Sequence, residues 1–172
     1  MQSRTIVAKP LTRDNFSAFG DVIEASEQVN HFPINDGNSE RFHDLATVDV
    51  GDGRTLINIF RSKPLIESLE QPLAIKMMER HPLGSQAFMP LSDQPYLVVV
   101  APKGELKTDL IEVFLASNRQ GVNYHTGTWH HYCLALNQVS DFMVIDRGGD
   151  CHNCDVETLD GSIVIMTNEQ DK

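Results

Sequence analysis

Short apolar runs, each cut off by turn residues, recur along most of this chain. YLVVVAP, with its β-branched core, reads as a strand buried on both faces. LIEVFLAS, HYCLALNQ, DFMVIDR and SIVIMTN predict further strands, and TLINIFRS predicts a mostly apolar one that delivers Arg61 at its end. AIKMMERHPLGSQAFMPL predicts two extended runs joined at Pro82-Leu83-Gly84, whereas SKPLIESLEQP, with two prolines, predicts a loop. Near the start, RTIVAKP is a short opening strand. Thr12 to Phe19 is then one or two helical turns, with Thr12 as N-cap and Gly20 just past the end, and Asp21 to Glu24 is extended. Asp36-Gly37 and the GDGRTL stretch carry turn signals. Strands of this length, spaced by roughly 8–12 residues, predict an all-β sandwich or barrel.

Composition narrows this picture. At 172 residues the chain suits one domain, residues 1–172, with one substantial core. A hydrophobic share of 41% and a charged share of 22% are ordinary for a globular protein. The net charge of −10 argues against nucleic acid, whose phosphates need clustered Lys and Arg, and against an anionic membrane surface. A small anionic substrate stays compatible, because one or two buried arginines override the global field. No segment approaches the roughly 18 apolar residues of a membrane helix. The N-terminus is broken by charge and proline too early for a secretory signal, and three cysteines do not suggest a disulfide framework. A cytoplasmic location is expected.

Candidate chemistry concentrates between Arg119 and His131, in RQGVNYHTGTWHH. That stretch holds three of the seven histidines, the only tryptophan and one of three tyrosines. His125, His130 and His131 are titratable near neutrality and are metal-ligand types. If His130 lies on a strand, His131 points to the other face, so at most one of the two looks into a given cavity.

His125-Thr126-Gly127-Thr128-Trp129-His130 resembles the second cupin motif, Pro-x-Gly-x-x-His, with histidine in the proline position. The first cupin motif survives only as a relic in Glu79-Arg80-His81-Pro82-Leu83-Gly84-Ser85-Gln86-Ala87-Phe88, where Gln86 stands about where a glutamate ligand is usual. Longer stretches are more specific. ERHPLGSQAFMPL, QGVNYHTGTWHH, DFMVIDRGG and NCDVE, with SAFGDVIE and NDGNSERFHDLA before them, resemble the ureidoglycolate lyase family of allantoin degradation, in collinear order from about Phe16 to Glu157. The resemblance implies a single cupin-type antiparallel β-barrel with a short N-terminal helix. It also implies a homodimer that splits (S)-ureidoglycolate into glyoxylate and urea, and a divalent metal, nickel being the one linked to the family.

Ureidoglycolate is a carbinolamine: one carbon bears a hydroxyl, a carboxylate and a urea nitrogen. Cleavage needs a base, an acid, a carboxylate clamp and amide recognition. His130 or His125 suits the base or acid, with Tyr124 a weaker donor and Glu79 a further catalytic candidate. Arg61, Arg80 or Arg41 could grip the carboxylate bidentately. Asn35, Gln86 or Asn123 could pair with the ureido group. Glu79 and Arg80 are neighbours and face opposite ways on a strand, so one of them is structural. Arg41 and His43 sit in NDGNSERFH, a solvated loop or a lid over the barrel mouth. Asp146 and Arg147 end an apolar strand as either a structural ion pair or a catalytic one.

For a metal the cupin pattern offers His130 and Gln86, a poor nickel set that His81 or His125 would have to complete. Carbinolamine cleavage does not chemically demand a metal, so a firmly bound one is not expected from the residues. Cys151-His152-Asn153-Cys154 looks like half a zinc knuckle, but only Cys133 remains to complete it. The lyase reading leads. An amidohydrolase on the same substrate, releasing ammonia and carbon dioxide, and a non-catalytic cupin that binds a small acid are the alternatives.

Overall fold

The apolar runs become strands, and their alternation decides which side of each sheet they fill. The computed structural model describes residues 4–65 and 72–166, so most of the proline-bearing loop expected at SKPLIESLEQP lies outside the described residues. The chain runs β1 (Arg4–Val7), β2 (Lys9–Pro10), helix α1 (Arg13–Phe16), β3 (Gly20–Ile23), β4 (His31–Ile34), β5 (Ser39–Phe42), β6 (Arg54–Ser62), β7 (Leu73–Arg80), β8 (Gln86–Pro90) and β9 (Tyr96–Ala101). After a 3-10 turn at Thr108–Leu110 come β10 (Glu112–Ala116), β11 (Gly121–Tyr124), β12 (Trp129–His130), β13 (Leu134–Ala135), β14 (Ser140–Gly148) and β15 (Asp155–Met166).

Two sheets face each other. One has the order β1-β15-β7-β12-β9-β10-β2, with β13 also on β9, and the other has the order β3-β11-β8-β14-β6. Pairing is antiparallel except for β1 with β15 and β10 with β2, two parallel exceptions to the antiparallel barrel that was expected. Strand alternation splits the core in two. Val98, Val100, Phe114, Val122, Phe88, Phe142 and Val144 fill the space between the sheets. Leu97, Val99, Val113, Trp129, Ile163 and Ile165 form a second cluster from the opposite side chains of β9, β10, β12 and β15. YLVVVAP is thus buried on both faces, as its β-branched run predicts.

Three local expectations shift. The helix is shorter than Thr12 to Phe19: four residues, capped by Thr12, whose hydroxyl accepts from Asn15 N while the Asn15 side chain accepts from Thr12 N. It stops because Phe16 and Phe19 both turn inward and Gly20 must enter β3. A Cβ on Gly20 would stand 2.0 Å from Asn123 O. HYCLALNQ is not one strand. His130 pairs with Val100 and Leu134 with Leu97, so four steps on one side oppose three on β9, and the extra residue bulges. Finally, only the first half of NDGNSERFH is a turn: Ser39–Phe42 is extended and pairs with His31–Ile34 in the β4–β5 hairpin, turned at Asn35, Asp36 and Gly37, all with positive φ. No helix among the described residues is long and apolar enough to cross a membrane.

Candidate functional site

At one end of the space between the sheets, several strands change from apolar to polar within a single two-residue step. On β8 Phe88 gives way to Gln86, on β11 Val122 to Tyr124, and on β14 Val144 to Asp146. Two-residue steps stay on one face, so these polar side chains share the cavity side with the apolar ones beneath them. From the facing sheet comes His130, in register with Val100 on one side and Glu79 on the other. Tyr124 and Gln86 are register partners across β11 and β8, and the Tyr124 ring stacks flat on His130, centroids 4.2 Å apart and 8° from parallel. A polar cup results, floored by aromatic and β-branched side chains.

Three of its groups converge. Ligand atoms of Glu79, His81 and His130 lie within 4.8 Å of one another. His130 Nδ1 donates to Thr128 O at 3.0 Å and His81 Nδ1 donates to Asn153 O at 2.6 Å. Each ring is thereby held in the tautomer that leaves Nε2 free, and both Nε2 atoms are buried without a partner. His130 is only 1% exposed, and burial, reinforced by His81, pushes it down to about 3, so the ring is neutral. Burial pushes the Glu79 carboxyl up, with His81 and the Cys154 thiol, 3.9 Å from Oε2, pulling the other way. Burial likewise raises Tyr124 well above the usual phenol range and keeps it protonated.

Two imidazole nitrogens and a carboxylate facing one point with no donor between them suit a divalent cation. Three protein ligands leave further positions open, as catalytic sites require. The donor set is therefore better than the sequence pattern offers. Glu79 would join His130 and His81 as the third ligand, where the cupin pattern offered Gln86 and left His81 or His125 to complete the set. Strand register explains the difference, because it sets Glu79 directly across from His130. On the other wall, Gln86 Nε2 donates to Asp146 Oδ2 at 3.4 Å and Asn58 Nδ2 donates to Asp146 Oδ1 at 3.1 Å. Gln86 Oε1 is buried and has no partner.

Other candidates lie elsewhere. His125 is outside the cup, its Nε2 3.1 Å from Asp21 Oδ1; it lines a separate cleft of about 300 Å³ with Asp49, Lys103 and Thr126. Arg61 follows Phe60, which packs on Phe88, so Arg61 faces outward; there it grips Asp141 bidentately at 2.8 Å with its side chain 73% exposed. Arg80 is the structural member of its pair, bonded to Asp155 and lying 4.6 Å over the Trp129 ring on the far side of the sheet. Arg41 and Asn35 are exposed on the β4–β5 hairpin. Asn123 faces away from the cup, donating to Asp21 and Thr47 O. His131 packs against Tyr132 and bonds its carbonyl through Nδ1. Arg147 pairs with Asp52, not with Asp146. Sequence reading missed Asn58 and Asn153, whose positions carry no motif and meet the cup only through sheet register and a loop.

A family model described as ureidoglycolate lyase matches residues 3–166. A Burkholderia mallei (strain NCTC 10229) protein named ureidoglycolate lyase is 51% identical over 162 residues, 93% of this chain and 92% of its own. A Burkholderia cepacia protein of the same name is 55% identical over 148 residues, 84% of this chain and 81% of its own. One from Pseudomonas syringae pv. tomato is 50% identical over 155 residues, 88% of each chain. Among solved structures, RmlC from Streptococcus suis in complex with dTDP-D-xylose covers 88% of this chain at 10% identity and a TM-score of 0.47, a likeness too loose to speak for the chemistry.

Proposed function

This chain belongs to the ureidoglycolate lyase family, and we propose that it cleaves (S)-ureidoglycolate to glyoxylate and urea in the polar cup between its sheets. The observation that carries the reading is the convergence of Glu79, His81 and His130 on one point beside Tyr124 and Gln86. Glu79, His81 and His130 would hold a divalent cation there, nickel on the family resemblance. When bound, the cation supplies Lewis-acid polarisation of the substrate's oxygens.

The chain's own groups do the rest. Glu79 accepts the hydroxyl proton at the carboxylate oxygen that the cation would leave free. The carbonyl of glyoxylate forms as the C–N bond breaks, its electron pair staying on the urea nitrogen. Tyr124, kept protonated by burial, gives that nitrogen its proton, and the proton held by Glu79 returns to Tyr124 once the products have left and water re-enters, so the proton count closes. His81 and His130, each fixed by a backbone carbonyl, orient the reacting carbon between them. The apolar floor excludes bulk water, which disfavours hydrolysis to ammonia and carbon dioxide.

For the carboxylate contact we propose Arg54, which strand parity puts on the same face of β6 as Leu56 and Asn58, whereas Arg61 and Arg80 face the other way. A homodimer fits the outer face of β6, the last strand of its sheet among the described residues, where Ile57 and Ile59 are 71% and 58% exposed. Three free cysteines fit a cytoplasmic location.

The test is product analysis on racemic ureidoglycolate, assaying urea and ammonia separately with and without a chelator. Urea equimolar with glyoxylate, lost on chelation and restored by nickel, is expected. Ammonia as the nitrogen product would overturn the lyase reading, and chelator-insensitive urea release would remove the cation from it.

A further inference from the structure

Gln86 is buried in the cup, yet only half of its amide is satisfied. The Nε2 end meets Asp146, while Oε1 is buried with no partner. A glutamine amide can be turned over at little intrinsic cost, so its neighbours decide which end faces the ligand. Here the neighbour is a carboxylate, which when ionised only accepts hydrogen bonds. Turning the amide over would set Oε1 against Asp146 and expose two donors to the cup. Asn58 fixes the carboxylate in turn, donating to its other oxygen at 3.1 Å from across the β6–β14 pairing. Neither Asp146 nor Asn58 belongs to the converging trio of Glu79, His81 and His130.

Taking the lyase reading as given, we propose that Asp146, held by Asn58, is a positioning residue that turns the Gln86 carbonyl into the cup as the acceptor for the ureido N–H groups of the substrate. The relay runs from Asn58 N–H to Asp146, from Gln86 N–H to Asp146, and from ureido N–H to Gln86 Oε1. Its effect is selectivity. The urea half of the substrate carries several N–H donors, whereas the glyoxylate half carries a carboxylate and one hydroxyl, whose proton goes to Glu79. A fixed acceptor on the opposite wall therefore favours the urea half. A site that hydrogen-bonds a particular group rejects analogues lacking it, because its own buried polar atom is then left unpaired.

The two products separate this role from general loosening of the cup. Inhibition by urea and by glyoxylate is measured for the wild-type enzyme, Asp146→Asn, and Gln86→Leu. Asp146→Asn keeps the shape but lets the amide pair present either end, so Gln86 loses its fixed orientation. The inhibition constant for urea and KM for ureidoglycolate should each rise about three- to tenfold, the range for one neutral hydrogen bond. Inhibition by glyoxylate should stay within about twofold and kcat should change less than KM. Gln86→Leu should show the same urea-specific loss, and adding Asp146→Asn to it should have no further effect, since the two act through one atom.

Equal weakening of both products would overturn the positioning role in favour of a structural one. Unchanged urea inhibition in Asp146→Asn, or additive losses in the double variant, would overturn it too, as would wild-type enzyme indifferent to urea below denaturing concentrations. Failure of the lyase reading is separately visible: wild-type enzyme would then release no urea from ureidoglycolate.

Discussion

Replacing His130 by phenylalanine separates what the cup costs the fold from what it contributes to catalysis. The ring is 1% exposed, stacks on Tyr124 and is held near 3 instead of the usual 6.5. A folded-state value below the unfolded one means that the unfolded chain takes up a proton first as pH falls. The associated stability is therefore fully present above 6.5 and is lost progressively down to about 3. At about 1.36 kcal/mol per unit, the loss between neutrality and about pH 4.5 is roughly 2–3 kcal/mol. For a chain of this size that corresponds to about 5–10 °C in Tm. His130→Phe keeps the aromatic stack and removes the titrating nitrogen. Its own cost at neutral pH is about 1 kcal/mol, for the Thr128 carbonyl that loses its donor. Denaturant unfolding of both proteins in the presence of a chelator, at neutral pH and near 4.5, gives the two slopes. Carboxylate titration is common to both and cancels. The wild type should lose about 2–3 kcal/mol more than the variant, and the variant should retain under about one hundredth of the activity. Parallel losses would refute the claim that His130 is buried as a neutral ring.

Two further substitutions probe placement. Arg61→Ala should leave KM within about twofold and stability nearly unchanged, because an exposed ion pair contributes little; a strong rise in KM would bring Arg61 back to the substrate. Gly20→Ala should destabilise by about 3 kcal/mol or more in denaturant unfolding, because the 2.0 Å approach is to backbone that cannot yield. A neutral result would mean that β3 does not pair with β11 as described.

The strand content, the capped turn at Thr12 and the turn at Asp36-Gly37 were legible in the sequence, because each rests on local physics: alternation, side-chain capping and backbone permissiveness at positive φ. His130, Tyr124 and Gln86 were legible as candidates, since the histidine-rich stretch and the relic after Glu79 carry a pattern of their own. Glu79, His81 and Asp146 were named as well, but not which of these groups meet. That Glu79 stands across from His130 depends on the register of β7 with β12, two strands far apart in sequence. Asp146 reaches Gln86 only because β14 pairs with β8, and Asn58 reaches Asp146 only because β6 pairs with β14. The arginines show the same limit from the other side. Arg61, Arg80 and Arg41 are the right residue type for a carboxylate, yet strand parity turned the first two outward and the hairpin carried the third away. Local sequence determined which residues become strands and which side chains bear chemistry. Long-range pairing alone decided which of them meet, because contact across a sheet depends on register, and register is a property of two strands together.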